Sequence, residues 1–142
     1  EFGGVRKVFL PKRAATKKFL PNVYEIPGGH INFGEDIVEG LKREIFEEFG
    51  VKIKVGDPFS VFTYTNEIKG SHSIEVVYFA TLIADINKIL LNPEDHSEGG
   101  WFEEKELGKI VAQNRNADDP EIKAVRAGFH ILSKGTLNTG IN

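Results

Sequence analysis

The segment Gly28–Val51, GGHINFGEDIVEGLKREIFEEFGV, gathers six carboxylates, Glu35, Asp36, Glu39, Glu44, Glu47 and Glu48, within fourteen consecutive positions. From Glu35 to Phe49 it reads as a helix. Placed at about 100° each, Ile37, Val38, Leu41, Ile45 and Phe49 fall within an arc of roughly 120°, the width of a core-facing stripe. Gly50 then fits a left-handed stop. Glu44, Glu47 and Glu48 stand at i, i+3 and i+4 and share one face beside that stripe. Like charges at this spacing destabilise a bare helix. A divalent cation removes the penalty, and Mg²⁺ or Mn²⁺ prefers carboxylate oxygen. Gly40 lies on the acidic face one turn before Glu44. A helix-interior glycine costs about 1 kcal/mol, so a close approach of backbone or ligand is expected there.

The chain around this segment has 142 residues, enough for one domain with a core that needs no staples. It is 40% hydrophobic and 27% charged, the composition of an ordinary globular protein. A net charge of −3 gives no electrostatic case for nucleic acid. The absence of cysteine excludes disulfides, zinc-thiolate sites and thiol nucleophiles, and fits a cytoplasmic location. No apolar run reaches the ~20 residues of a membrane span, and no signal peptide opens the sequence. The whole of 1–142 is taken as one domain. Residues 1–4 have the look of a cloning remnant, and 135–142 that of a flexible tail.

Strand signals flank the helix. Val5–Leu10 is a short β-rich run closed by Pro11, and Lys12–Lys18 is a basic loop. Val23–Ile26 alternates apolar and polar before the Pro27-Gly28-Gly29 turn, and His30–Phe33 is a further short strand. Val51–Val55 and Phe59–Thr65 read as strands separated by a Gly56-Asp57-Pro58 turn. A polar hairpin at Asn66–Ser73 leads to the buried strand Ile74–Ile83. Asn92–Gly100 reads as an acidic loop, Trp101-Phe102 as the start of a new element, and Glu103–Ala112 as a short helix. After a turn-rich loop from Asn114, Pro120 suits the start of a last helix through Leu132. The pattern predicts an α/β sandwich with a mixed sheet between helices.

Written with its gaps, the acidic segment is Gly29, five residues, Glu35, seven residues, then Arg43-Glu44-Ile45-Phe46-Glu47-Glu48-Phe49-Gly50-Val51. It resembles the Nudix box, G-x5-E-x7-R-E-U-x-E-E-x-G-U with U aliphatic, without a departure. Seven fixed identities at roughly 6% usage each arise by chance on the order of 10⁻⁹ per starting position. Pro27-Gly28-Gly29, the strand Val77-Tyr78-Phe79-Ala80, and His96-Ser97-Glu98 ahead of Trp101-Phe102 are also similar to Nudix hydrolases. Members of that family usually begin with one more strand before the one read at Val5–Leu10, which leaves the sheet edge open.

The resemblance implies a division of roles. Glu44, Glu47 and Glu48, with the Gly28 carbonyl, would be metal ligands for Mg²⁺ or Mn²⁺. Arg43 and Glu35 would brace the acidic helix, a support that orients ligands. The catalytic base is expected at Glu44, or at Glu98 in the loop before Trp101, with Glu94 and Asp95 as weaker candidates; Arg43 completes the catalytic set. Arg13 and Gly29 would contact substrate, and Lys12, Lys17 and Lys18 share the basic loop. His30 and His72 are more ordinary as structural residues, and Tyr24, Phe33, Phe62 and Tyr64 as core aromatics.

The implied reaction is metal-dependent hydrolysis of a phosphoanhydride in a nucleoside diphosphate linked to another group. A nucleoside triphosphate, oxidised forms included, is the favoured substrate, cleaved to monophosphate and pyrophosphate. ADP-ribose, nucleotide sugars and dinucleoside polyphosphates are the alternatives; neither a proline nor a tyrosine marks the usual distance past the box. An isoprenoid diphosphate isomerase would need a cysteine. A regulatory, non-catalytic domain would be expected to lose box acids. The expected partner is a small nucleotide, without nucleic acid or membrane, and a homodimer stays open.

Overall fold

A computed structural model describes residues 2–112, 116 and 118–135. The order of elements is β1 (Val8–Arg13), α1 (Ile37–Phe49), β2 (Ile53–Asn66), β3 (Ser71–Leu82), β4 (His96–Phe102), α2 (Leu107–Ala112) and α3 (Pro120–Lys134). Single 3₁₀ turns at Ile86–Lys88 and Glu104–Glu106 lead into β4 and α2.

Strand β1 shows why the layers form. Its side chains alternate between faces. Leu10, with Val8 beside it, joins Leu107, Ile110, Ile122 and Val125 on the α2–α3 side. Phe9 instead packs with Ile45, Phe49, Val51 and Ile53 on the α1 side, its ring edge-on to Phe49 at 5.7 Å. One strand therefore carries a helix layer on each face, the expected α/β sandwich. Leu10 in one of these layers and Phe49 in the other are each 1% exposed.

The pairing departs from the expected mixed sheet. Among the described residues the strands form two ladders, β1–β4 and β2–β3, and both are antiparallel. A short turn at 67–70 joins β2 to β3, and a tight hairpin permits only antiparallel neighbours. Several boundaries also move. The first strand starts later and runs through Pro11 to Arg13, because pairing with β4 outweighs the proline stop. Pro11 needs no partner for an N–H, and its carbonyl accepts from the Glu25 N–H at 2.9 Å. The expected strand at Val23–Ile26 shrinks to one bridge, Lys12 with Tyr24. His30–Phe33 is not a strand, since Arg43 and the following turn claim its carbonyl and loop. The turn at Gly56-Asp57-Pro58 is absorbed into β2 as a register irregularity around Pro58. Most consequential, Asn92–Gly100 is a loop only as far as Asp95; His96–Phe102 is β4.

The last helix runs from Pro120, capped by the Asp119 side chain, to Lys134, with Gly135 left-handed at φ 66°. Residues 113–115 and 117 of the loop before it, and 136–142 of the expected tail, lie outside the described residues. Among those described, no helix is long and apolar enough to cross a membrane.

Candidate functional site

Helix α1 begins at Ile37 rather than Glu35, because Asp36 acts as its cap. The Asp36 carboxylate accepts from the N–H groups of Val38 at 2.9 Å and Glu39 at 3.1 Å. Gly50 ends it in the left-handed conformation at φ 68°. Glu35 is thus left in the preceding loop, free to turn back on the helix. Its two oxygens accept from Arg43 Nε at 2.7 Å and Nη2 at 3.0 Å, a bidentate pair. It also accepts from the Asn32 N–H at 2.9 Å. The Arg43 hydrogen bonds, then the Asn32 backbone, pull the Glu35 carboxyl down to about 2. Arg43 is in turn held more firmly protonated, by Glu35 first and Glu44 next.

Arg43 reaches further. Its Nη2 donates to the His30 carbonyl at 2.9 Å, which ties the glycine loop to the helix. Its Nη1 donates to Glu44 Oε1 at 2.8 Å and Glu47 Oε2 at 3.0 Å. One guanidinium therefore holds the loop and two of the three acids on the shared face. Gly29 lies against the Glu44 carboxylate so closely that a Cβ there would occupy the same space. The helix-interior Gly40 has a similar explanation: a Cβ would meet Ile31 Cδ1 at 2.6 Å and Glu35 Oε2 at 2.9 Å. The close approach is by the loop, which folds over the helix at this point.

Glu48 behaves differently. It is half-buried and makes no hydrogen bond or ion pair to another described residue. Its carboxyl is raised from 4.5 to about 7, mainly by burial. The nearby carboxylates Glu25, Glu44 and Asp95 add to the rise, and His96 opposes it. Among the described residues no three acids or histidines already stand as a cation cage. The donor chemistry nonetheless fits a hard divalent ion. Glu44 and Glu47 each give one oxygen to Arg43 and keep the other, and Glu48 is a desolvated carboxylate among like charges.

Arg13, Glu25, Gly28, Gly29, Glu44 and Glu48 all line one cleft of about 1420 Å³. Gly28, Glu44 and Glu48 of the expected metal set and Arg13 and Gly29 of the expected substrate set thus share one cleft, while Glu47 is exposed and is not among its lining residues. The structure does not bring Glu98 there. In the β1–β4 ladder Lys12 pairs with Glu98 and Arg13 with His96, so Ser97 is an extra residue and the strand bulges. A bulge re-aims side chains. His96 goes to the α1 face, where it stacks on Phe49 at 5.3 Å. Glu98 goes to the opposite face with Lys12 and Tyr24. There it accepts from the Tyr24 hydroxyl at 2.8 Å and pairs with Lys12 Nζ at 3.3 Å. Those contacts, Tyr24 first, hold the Glu98 carboxyl below its ordinary range. Burial and Glu98 push the Tyr24 hydroxyl up to about 12. A stabilised carboxylate on the far face is not placed to take a proton in the cleft.

The basic loop is also divided. Arg13 faces the cleft, while Lys17 is bound to Asp95, whose carboxyl it lowers. His30 and His72 are exposed. Glu25, which lines the cleft, and the buried His96, which contacts Glu25, are not singled out as site residues by the sequence. Glu25 follows Tyr24 in an alternating run, which puts it on the other face from Tyr24, and that alternation was the available signal. Nothing in the local sequence announces the bulge that turns His96 toward it.

Comparison with known proteins gives concordant matches. The profile of the NUDIX domain matches residues 2–125. Over 49 residues, 34% of this chain and 17% of the relative, the sequence is 39% identical to the m7GpppN-mRNA hydrolase of Xenopus laevis. Over 47 residues, 33% of this chain and 35% of the relative, it is 40% identical to the 8-oxo-dGTP diphosphatase of Buchnera aphidicola subsp. Schizaphis graminum. A longer match of 105 residues, 74% of this chain and 59% of the relative, is 28% identical to the ADP-ribose pyrophosphatase of Methanocaldococcus jannaschii. The matched region thus spans less than two thirds of the length of each of these relatives. Among solved structures, a C. elegans Ap4A hydrolase binary complex superposes with a TM-score of 0.69 at 18% identity, covering 94% of this chain and 91% of that one. That likeness establishes a shared fold.

Proposed function

The chain belongs to the NUDIX domain family, and from that premise we propose that it hydrolyses a phosphoanhydride bond in a nucleoside diphosphate linked to another group. The favoured substrate is a nucleoside triphosphate, oxidised forms included, giving a monophosphate and pyrophosphate. The observation that carries the reading is the acidic face of α1 at the cleft wall, with Arg43 and Glu35 bracing it against the Gly28-Gly29 loop.

Nudix hydrolases generally use divalent metals. Glu44, Glu47 and Glu48, with the Gly28 carbonyl, would hold Mg²⁺ or Mn²⁺ here. When bound, such an ion neutralises phosphate charge and acidifies water. The chain's own contribution is position and proton transfer. Arg13 and the Gly29 backbone bind substrate phosphate along the same cleft. Arg43 fixes Glu44, and Glu44 takes the proton as water oxygen bonds to an internal phosphorus. The bridging P–O bond breaks and its electron pair leaves with pyrophosphate. Glu98 is not given the proton-accepting role, because β4 turns it to the other face.

The local similarity to an 8-oxo-dGTP diphosphatase supports the triphosphate class. The longer similarity to an ADP-ribose pyrophosphatase supports a second reading, in which the diphosphate is linked to a sugar. A screen for phosphate and pyrophosphate release separates them. It covers nucleoside triphosphates, ADP-ribose, nucleotide sugars and dinucleoside polyphosphates, with Mg²⁺ and Mn²⁺. Turnover of a triphosphate to monophosphate and pyrophosphate is the expected result. Nucleotide binding without turnover in either metal would instead make this a regulatory domain.

A further inference from the structure

We propose that Glu25 and His96 are positioning residues that hold the Arg13 guanidinium in the cleft, ready for a substrate phosphate. The proposal rests on the phosphate-binding role given to Arg13 above.

The geometry is a continuous chain of contacts. The His96 ring is only 3% exposed and stacks on Phe49, the residue that follows Glu48 on α1. Its Nε2 lies 2.7 Å from Glu25 Oε1. A carboxylate only accepts, so the imidazole must carry hydrogen on Nε2 and donate it. The other oxygen, Glu25 Oε2, accepts from Arg13 Nη1 at 3.1 Å. Arg13 Nε donates to the Phe19 carbonyl at 3.0 Å. Two of the three guanidinium nitrogens are thereby fixed, and Nη2 makes no hydrogen bond to another described residue. The Arg13 side chain keeps 22% of its surface exposed, on a cleft it shares with Glu44 and Glu48.

Three features set this apart from an incidental ion pair. The contacts span 71 residues between Glu25 and His96 and depend on the bulge at Ser97; without it His96 would share the Glu98 face. The chain ends on Phe49, so the phosphate contact is referenced to the same helix that carries the acids. Finally, an arginine already immobilised loses little freedom when a phosphate arrives, which strengthens binding more than it speeds chemistry. A partly buried ion pair contributes little to stability for its own sake.

The test measures KM and kcat for the nucleotide substrate, affinity for inorganic pyrophosphate by calorimetry, and thermal unfolding. Variants are Arg13→Ala, Glu25→Gln, His96→Phe and His96→Gln, with the double variant Arg13→Ala/Glu25→Gln. Glu25→Gln and His96→Phe should each raise KM and weaken pyrophosphate binding by about tenfold, with kcat kept within about threefold. His96→Gln retains an N–H donor and should recover part of the loss. The double variant should bind no worse than Arg13→Ala alone, because the effect runs through Arg13. Lowered melting temperature with unchanged KM would reduce Glu25 and His96 to packing residues and overturn the proposal. So would additivity in the double variant, or a fall in kcat with KM unchanged. If the wild type hydrolyses no nucleotide, the proposed function fails separately. Pyrophosphate affinity then decides this inference, upheld if Glu25→Gln weakens it and overturned if it is equal or absent in the wild type.

Discussion

The two walls of the cleft are built in opposite ways. On the α1 wall, Arg43 draws together Glu35, Glu44, Glu47 and the His30 carbonyl, every partner within thirteen residues of it. On the β1–β4 wall, Arg13 meets Glu25 and Glu25 meets His96 across 71 residues. The first wall needs only one loop and one helix to close on each other. The second needs β1 and β4 in a set register, a loop segment bridged to β1 at Tyr24, and one bulge. Local order thus supplies the acids, and tertiary order supplies Arg13 and its buried partners.

The comparison is broken hardest at the acids. Glu48→Gln and Glu47→Gln should each lower metal-dependent turnover by orders of magnitude, roughly 10²-fold or more, while circular dichroism and melting stay near wild type. Turnover retained in both would remove the α1 wall from the reaction. Arg43→Lys ranks next. An ammonium cannot hold Glu35 bidentately while also reaching Glu44, Glu47 and a carbonyl. Activity should fall by about 10–100-fold, with a lower melting temperature because the glycine loop is released. Activity and melting both close to wild type would show that the brace is dispensable.

The same contrast explains what the sequence made legible. The acids, Arg43, Glu35 and the glycine turn sit at fixed spacings in one segment, and within it Arg43 ties Glu35, Glu44, Glu47 and the His30 carbonyl together. Asp36, rather than Glu35, starts the helix, a shift a capping argument can supply once the loop is known to turn back. Glu98 could not be placed from sequence. Its face depends on whether Ser97 is paired or bulged, and pairing belongs to β1, far away in the chain. For the same reason His96 passed as part of an acidic loop when it is a buried strand residue. The β2–β3 hairpin was read in nearly correct pieces, since its alternation and turn are local. Its continuity through Pro58 was not, because a proline signal outweighed the cross-strand partners of a long hairpin.

Glu98 offers a sharper test of the two-face arrangement. Glu98→Gln keeps the side-chain shape and a partner for the Tyr24 hydroxyl, while removing the charge opposite Lys12. With Glu98 on the far face, kcat should stay within about threefold of wild type. The readable change is at Tyr24, whose hydroxyl should titrate lower once the neighbouring negative charge is gone, seen in the ultraviolet difference spectrum at high pH. A kcat reduced by two orders of magnitude would mean that β4 presents Glu98 to the cleft during turnover.

The smallest effect expected is in the pH dependence of metal-free stability, and its sign differs between two residues of the same segment. Glu35 is pulled down from 4.5 to about 2 by Arg43, so its folded state prefers the ionised form. Its contribution is present above about 4.5 and is lost as pH falls toward 2. Glu48 is raised from 4.5 to about 7, mainly by burial, so its folded state holds a proton that the unfolded chain has already released. Between those values the folded state binds more protons, and stability falls as pH rises. Glu48 keeps partial solvent access, which makes the slope shallow. Melting temperature without divalent cation should therefore decline from about pH 5 to 7, and Glu48→Gln should flatten that decline. Mg²⁺ should raise the melting temperature most above pH 7, where it stabilises the ionised carboxylate. An identical slope in wild type and Glu48→Gln would show that Glu48 is not the strained carboxylate of the α1 wall.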